Sequence, residues 1–454
     1  MPESVANEAV PGPLARRVFF EQAAAPPDPE PPLPLTPRRV LGPVELAGKA
    51  TAVVGIRRAG KTTFLHQLRA EKVGAGAPPQ SLPMLSLEDE RLSGLDAVQL
   101  GALVDEYADR RTAAGDAAAP AWFLDEIQVV AGWERLVRRL LDGGARVFVS
   151  GSSAALLSRE VATALRGRAW QALIHPFGFD EALRHGGVEV PRGPGSVVWS
   201  RGERARIEAA FGAWLEAGGF PEVQGLDPAT RRRLLADYVD VAMLRDVIER
   251  HGVSNVVGLR WLSRHLLANA GSLFSVERFH RAMRSQGIAV ARDTVHQHLA
   301  HLEDCFLVRT VWMESRSERQ RMVNPRKAYP VDAGLIGVFD RSGRANIGHA
   351  LETAVLVELE RRRCEATYVR TPQGHEVDFL ARGDDGSVEL IQVCADASDE
   401  ATADRELRAL DGAGRMFPSA TKRLLTAARR GLPARAPADV IAQPAYEWML
   451  AFPD

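Results

Sequence analysis

The residues Gly55-Ile-Arg-Arg-Ala-Gly60-Lys61-Thr62 satisfy the spacing G-x-x-x-x-G-K-[ST], between a short apolar run ending at Gly55 and an amphipathic stretch beginning at Lys61. Strand, glycine loop and helix N-terminus in that order make a phosphate cradle. Glycines let backbone N–H groups converge on phosphate oxygens, and the helix end adds partial positive charge. The residues expected to contact ATP are Gly55, Arg57, Arg58, Ala59, Gly60, Lys61, Thr62 and Thr63, with Lys61 on the β- and γ-phosphates and the Thr62 hydroxyl on Mg²⁺. A triphosphate site also needs a second metal ligand and a group to orient water. The run Trp122-Phe-Leu-Asp125-Glu126 offers both, Asp125 for Mg²⁺ and Glu126 as the base. A further β-prone run ends in Ser150-Gly-Ser152, whose hydroxyls could contact the γ-phosphate or the water, and an arginine of Leu165-Arg-Gly-Arg168 could serve a neighbouring subunit's nucleotide.

These residues need elements to hold them. From Thr51 onward short β-branched runs alternate with amphipathic stretches, which predicts a three-layer α/β domain with a mostly parallel sheet over 45–185. Residues 1–44 contain the proline run Pro26 to Pro37 and read as a tail or adaptor outside the main fold. Helical patterns over 186–254 read as a lid. Three helical stretches followed by FLVRTVWM over 255–325 suit a winged-helix module whose third helix is Arg292 to Glu303. An α/β module follows at 326–435, then a tail at 436–454.

Composition limits the function classes. The 454 residues allow two to four domains, and a net charge of -1 advertises no polyanionic partner, so any nucleic-acid contact must be local. Only five lysines, 49, 61, 72, 327 and 422, stand among 57 basic residues, which makes each retained lysine informative. Cys305, Cys364 and Cys394 are too few and too scattered for a disulfide framework or a thiolate zinc site. His296 and His298 diverge on a helix, so no metal cluster beyond the nucleotide's Mg²⁺ is expected. No apolar run is long enough to span a bilayer and no secretory leader is visible; a cytoplasmic, non-membrane protein is expected.

Together GIRRAGKTT, LSLEDERL, WFLDEIQVVAGWE, VFVSGSSAALLSRE, LRGRAWQALIHPFGFDEAL, GGFPEV, YPVDAGLI, GHALETAVLVELERR, EVDFL and ELIQVCAD resemble the AAA-type ATPases of archaea and bacteria that carry a C-terminal domain of unknown function numbered 4143. The resemblance covers about residues 45 to 410. It implies nucleotide and metal roles for Lys61 and Thr62, a second acidic motif at Asp125 and Glu126, a sensor region at Ser150 and Ser152, and Arg168 as the likelier finger, with Arg166 the other choice. It also implies a site completed across subunits, hence a homo-oligomer and possibly a ring.

The helix, strands and helix of 345–425 resemble the restriction-endonuclease core, with Asp378 and Glu352 at acidic positions of that fold. Gln392 and Cys394 stand where an active member has its second carboxylate and its lysine. An amide and a thiol supply neither the charge to hold Mg²⁺ nor an ammonium beside the scissile phosphate, so cleavage of DNA is not expected. Arg231 to Arg233 and Arg361 to Arg363 read as solvated helix faces, while Arg292, Thr294, His296, Gln297 and His298 are groups that could reach phosphates or bases. The leading expectation is an oligomeric ATPase that moves or remodels DNA. The rivals are an ATP-operated oligomerisation switch in defence or signalling and an ATP-regulated nuclease.

Overall fold

The β-branched runs around the glycine loop become five short strands, β1 (Ala50–Val54), β2 (Met84–Ser86), β3 (Ala121–Asp125), β4 (Arg146–Gly151) and β5 (Ala169–Leu173). All pair in parallel, in the order β2-β3-β4-β1-β5. Every residue of β1 and β3 is buried, as expected where helices cover both faces of a parallel sheet. The computed structural model describes residues 11–25, 36–116, 118–152, 165, 167–188, 199–315, 317–340 and 346–451. Arg166 and most of the proline run lie outside the described residues. The chain divides into two units, residues 1–174 and 175–454.

The first unit's helices are α1 (Pro13–Ala23), α2 (Lys61–Gly74), α3 (Ala97–Ala113) and α4 (Trp133–Asp142). Asp96 caps α3 by accepting from the N–H groups of Val98 and Gln99, which satisfies two of the donors that a helix start leaves open. Residues 13–23 fall in the segment read as a tail, yet they form α1. Val18 and Phe19 are fully buried, and the Phe19 ring lies 6.2 Å from that of Trp122. The neighbouring proline run masked a helix whose stability comes from this aromatic packing rather than from its own length.

The second unit holds a single eight-stranded sheet, in the order β13-β12-β11-β10-β9-β7-β8-β6. Its strands are β6 (Leu273–Phe274), β7 (Val308–Met313), β8 (Arg326–Pro330), β9 (Glu365–Arg370), β10 (Glu376–Arg382), β11 (Val388–Cys394), β12 (Thr421–Thr426) and β13 (Val440–Pro444). The helices are α5 (Phe179–His185), α6 (Arg201–Ala217), α7 (Pro228–Ala242), α8 (Val256–Ala268), α9 (Val276–Ser285), α10 (Arg292–Asp304), α11 (Glu318–Val323), α12 (Gly334–Phe339), α13 (Ile347–Arg361), α14 (Glu400–Met416) and α15 (Ala445–Leu450). Helix α7 runs on as a π-helix over Met243–Glu249.

Two borders read from the sequence cross this sheet. β8 begins at the expected start of the C-terminal module, but it pairs antiparallel with β6 and β7, and β7 pairs in parallel with β9. Residues 436–454 were read as a tail, yet they supply β13 and α15, with Tyr446 fully buried. Pairing across a sheet is non-local, and composition carries no sign of it.

Three of the sequence motifs meet in one packing knot within this unit. Gly219 leaves no room for a side chain, since a Cβ there would lie 2.1 Å from the Phe177 carbonyl oxygen. Asp332 accepts from the N–H groups of Gly219 at 2.7 Å and Gly334 at 2.9 Å. Burial raises its carboxyl to about 6 despite those two bonds. PFGF, GGFPEV and YPVDAGLI therefore do structural work.

Candidate functional site

Because β1, β3 and β4 are parallel, their C-terminal ends share one edge of the sheet, the edge at which open α/β folds place ligands. β1 delivers the glycine loop there and β3 delivers the acidic pair. β4 lies between them and delivers Ser150. Gly55 takes φ +148°, and a Cβ on it would meet the Ile174 carbonyl oxygen at 2.1 Å. Gly60 takes φ +98° as the N-cap of α2. Only glycine tolerates both demands. The Arg38 guanidinium donates to the Ala59 carbonyl at 2.6 Å and so braces the loop from outside. That residue lies in the stretch read as a tail, and sequence reasoning missed it.

A hydrogen-bond network, buried at Asp125, Glu126 and Ser150, joins the expected metal and catalytic residues. The Thr62 hydroxyl donates to one Asp125 carboxylate oxygen at 2.8 Å, and the Ser150 hydroxyl donates to the other. Ser150 Oγ also accepts from the Glu126 N–H at 2.9 Å. Asp125 is 4% exposed, and burial pushes its carboxyl above the ordinary range while the bonds from Ser150 and Thr62 oppose the shift. Lys61 is buried too. Its Nζ lies 3.7 Å from Glu126 Oε1 and 3.3 Å from the Ile56 carbonyl. Glu126 sits in the left-handed region at φ +52°, which turns its side chain at the strand end, where Gln128 donates to it. A hydroxyl and a carboxylate side by side suit a hard cation, so Thr62 and Asp125 fit Mg²⁺ and Lys61 fits a phosphate.

The other expected residues are placed as follows. Ser152 is fully buried just beyond β4, and Ala59 is buried within the loop. Thr63 is half-buried in α2, and Arg58 adopts φ +66°. Arg57 pairs with Glu88 at 3.0 Å. Arg168 precedes β5, where its carbonyl accepts from the Ala50 N–H. It thus sits at the sheet edge opposite the loop, on the order of 15 Å of strand away. Its guanidinium is about half exposed and pairs with Asp142, so within one chain it is remote from that chain's own phosphate loop.

A second polar centre lies in the other unit. Lys327 on β8 is 3% exposed, and its Nζ contacts Glu352 at 2.9 Å, Glu376 at 2.9 Å and Asp378 at 2.8 Å. The Tyr329 hydroxyl donates to Glu352 at 2.6 Å. Burial lifts the Glu352 carboxyl to about 7, with the Asp378 charge adding to the shift and Lys327 opposing it. On β11 the Gln392 amide donates to Glu406 at 2.8 Å, and the half-buried Cys394 thiol donates to the Asp396 carbonyl. The lysine missing from β11 thus reaches the acidic residues from β8, and the scarcity of lysine was the one signal in the sequence that pointed to it.

Two surface readings need correction. Arg361 is not solvated: it is buried against Glu181 at 3.1 Å and Glu358 at 3.5 Å. On α10, Arg292, His296 and Gln297 are exposed and Thr294 is half-buried, but His298 is 3% exposed and faces the core, where it can touch no base.

Residues 47–183 match the family model described as AAA domain, and residues 208–343 match a domain of unknown function, DUF8612. The first unit's site is thus that of an AAA-type P-loop domain, the nucleotide-binding class that its loop and parallel sheet define. The second match is a different domain of unknown function from the one the resemblance implied, and it lies in the middle of the chain. An uncharacterized protein of Methanocaldococcus jannaschii is 29% identical over 372 residues, 81% of this chain and 79% of that one. An uncharacterized protein of Haemophilus influenzae is 27% identical over 73% of this chain and 78% of its own. Among solved structures, a Walker-type ATPase of Pyrococcus abyssi aligns at TM-score 0.39 and 14% identity, covering 72% of this chain and 94% of that one. No helix among the described residues is long and apolar enough to cross a membrane.

Proposed function

We propose that this chain is an oligomeric, Mg²⁺-dependent ATPase that couples hydrolysis to work on DNA, and that its nuclease-like C-terminal module does not cut. The observation that carries the ATPase reading is the single hydrogen-bond network linking Thr62, Asp125, Ser150 and Glu126, with Lys61 beside it. Thr62 and Asp125 would hold the ion, whose contribution is to neutralise phosphate charge. Lys61 exchanges Glu126 for phosphate oxygens, and the released Glu126 carboxylate orients water and accepts its proton. Arg168 acts on the nucleotide of a neighbouring copy, which is why it can stand far from its own loop.

The nucleic-acid half rests on charge and on element order. A groove of about 1020 Å³ is lined by Arg232, Arg233, Arg264, Arg278 and the half-exposed Trp261. None of its 18 lining residues is acidic, although 58 acids among 454 residues would put about two there by composition alone. The order α8-β6-α9-α10-β7-β8 suits a winged helix, with Arg292, His296 and Gln297 on its third helix. In the nuclease-like module the Lys327 ammonium stands among the three carboxylates that a metal would need.

Turnover measured with and without DNA tests the reading. Severalfold stimulation by DNA, abolished by Lys61→Ala, is the expected result. ATP-dependent assembly with slow, unstimulated turnover would instead indicate the oligomerisation switch. Cleavage in Mg²⁺ or Mn²⁺ that is lost in Asp378→Ala would overturn the reading of the C-terminal module.

A further inference from the structure

Two helix ends meet in the second unit with a set of side chains that the ATPase reading does not use. His251 follows the π-helical extension of α7, and His301 and Asp304 lie three residues apart on the last turn of α10. One ligand atom from each of the three falls within 4.8 Å of the others. The two imidazoles are stacked, with ring centroids 3.9 Å apart and planes 17° from parallel. We propose that His251, His301 and Asp304 form a binding site for a divalent ion of the zinc class, which ties the end of α7 to α10 and leaves a coordination position for water.

The donor set argues for that ion. Two imidazole nitrogens and one carboxylate oxygen are the ligands of three-residue zinc sites with an open fourth position, whereas Mg²⁺ and Ca²⁺ take oxygen. The Nδ1 atom of His301 is buried and has no hydrogen-bond partner in the protein. Both donors sit at helix C-termini, where unpaired carbonyls favour a cation. The wider turns of the π-helix rotate the residues after it about the axis, and His251 is the residue they bring over α10.

Parallel stacking is not yet the bound geometry. Ring lone pairs lie in the ring planes, and tetrahedral binding at roughly 2.05 Å needs the two nitrogens about 3.3 Å apart and tilted toward each other. His251 is exposed and half-buried His301 is its only stacking partner among the described residues, so a side-chain rotation supplies the tilt. Stacking of two neutral imidazoles on its own is the competing explanation.

The test uses the full-length, nucleotide-free protein stripped with a chelator, and does not depend on the ATPase reading. Equilibrium dialysis against micromolar Zn²⁺ is expected to give one ion per chain, with binding at least tenfold weaker in His251→Ala and His301→Ala and undiminished by millimolar Mg²⁺. Asp125→Asn, which alters the phosphate site instead, should leave the stoichiometry unchanged. Co²⁺ should give visible absorption of low-symmetry nitrogen and oxygen coordination that disappears in His301→Ala. His251 is exposed, so His251→Ala provides a variant that folds even if His301→Ala does not. Equal Zn²⁺ binding by wild type and His251→Ala, or a Co²⁺ spectrum indifferent to both substitutions, would overturn the proposal.

Discussion

Asp125→Asn should affect the nucleotide-free and nucleotide-bound protein differently, and so it tests the assignment of the site directly. In the free protein the carboxylate is 4% exposed and its pKa is raised by burial. A carboxyl whose pKa is higher folded than unfolded binds more protons in the native state, so its ionisation costs stability as pH rises above the unfolded value. Asparagine keeps the shape and can accept from one neighbouring hydroxyl while donating to the other. At pH 8 the loss of two charge-assisted bonds and the removal of a buried charge then offset each other to within about 1 kcal/mol. With Mg²⁺ and ATP at a hundred times Kd, the wild type gains about 2.7 kcal/mol. For a unit of 174 residues that is a rise in Tm of about 5–10 °C. The variant has lost a metal ligand and should gain less than half of this at the same concentrations. Thermal melts with and without Mg²⁺ and ATP decide the matter. An equal rise in both proteins would refute the metal role of Asp125, and a fall of about 10 °C in the free variant would refute the claim that the cost of burying its charge offsets its two hydrogen bonds.

Glu126→Gln should keep ATP bound while slowing turnover by about 10² to 10⁴, as measured by nucleotide retention and single-turnover hydrolysis. Gly55→Ala places a methyl 2.1 Å from the Ile174 carbonyl at a backbone angle that disfavours any side chain. It should cost more than about 3 kcal/mol or abolish nucleotide binding, as read by denaturant melts and ATP titration. Lys327→Met leaves Glu352, Glu376 and Asp378 without their cation and should destabilise by about 3–5 kcal/mol at pH 8. Glu352 already titrates at about 7 and would rise further, so the variant should regain stability as pH falls from 8 toward 5; a pH-independent deficit would contradict this.

Some of this molecule was legible from residue order alone, and some was not. The glycine loop, its lysine and its threonine are contiguous, so their spacing alone states the chemistry; the acidic pair reads as clearly because it ends a buried strand. The alternation of strands and helices in the first unit was visible for the same reason, since burial on both faces leaves continuous apolar runs. Contacts between distant segments were another matter. Ser150 reaches Asp125 only because β4 lies between β1 and β3, and Arg38 braces a loop 21 residues away. Lys327 supplies a cation 51 residues from Asp378, while Gln392 and Cys394, the positions where a carboxylate and a lysine were sought, turned elsewhere. Likewise His251 stacks on His301 across 50 positions, where the sequence drew attention to the divergent pair His296 and His298. Local periodicity encodes which face of an element is buried. Which two faces meet depends on strand order and helix packing, and those are set by the burial of the whole chain at once.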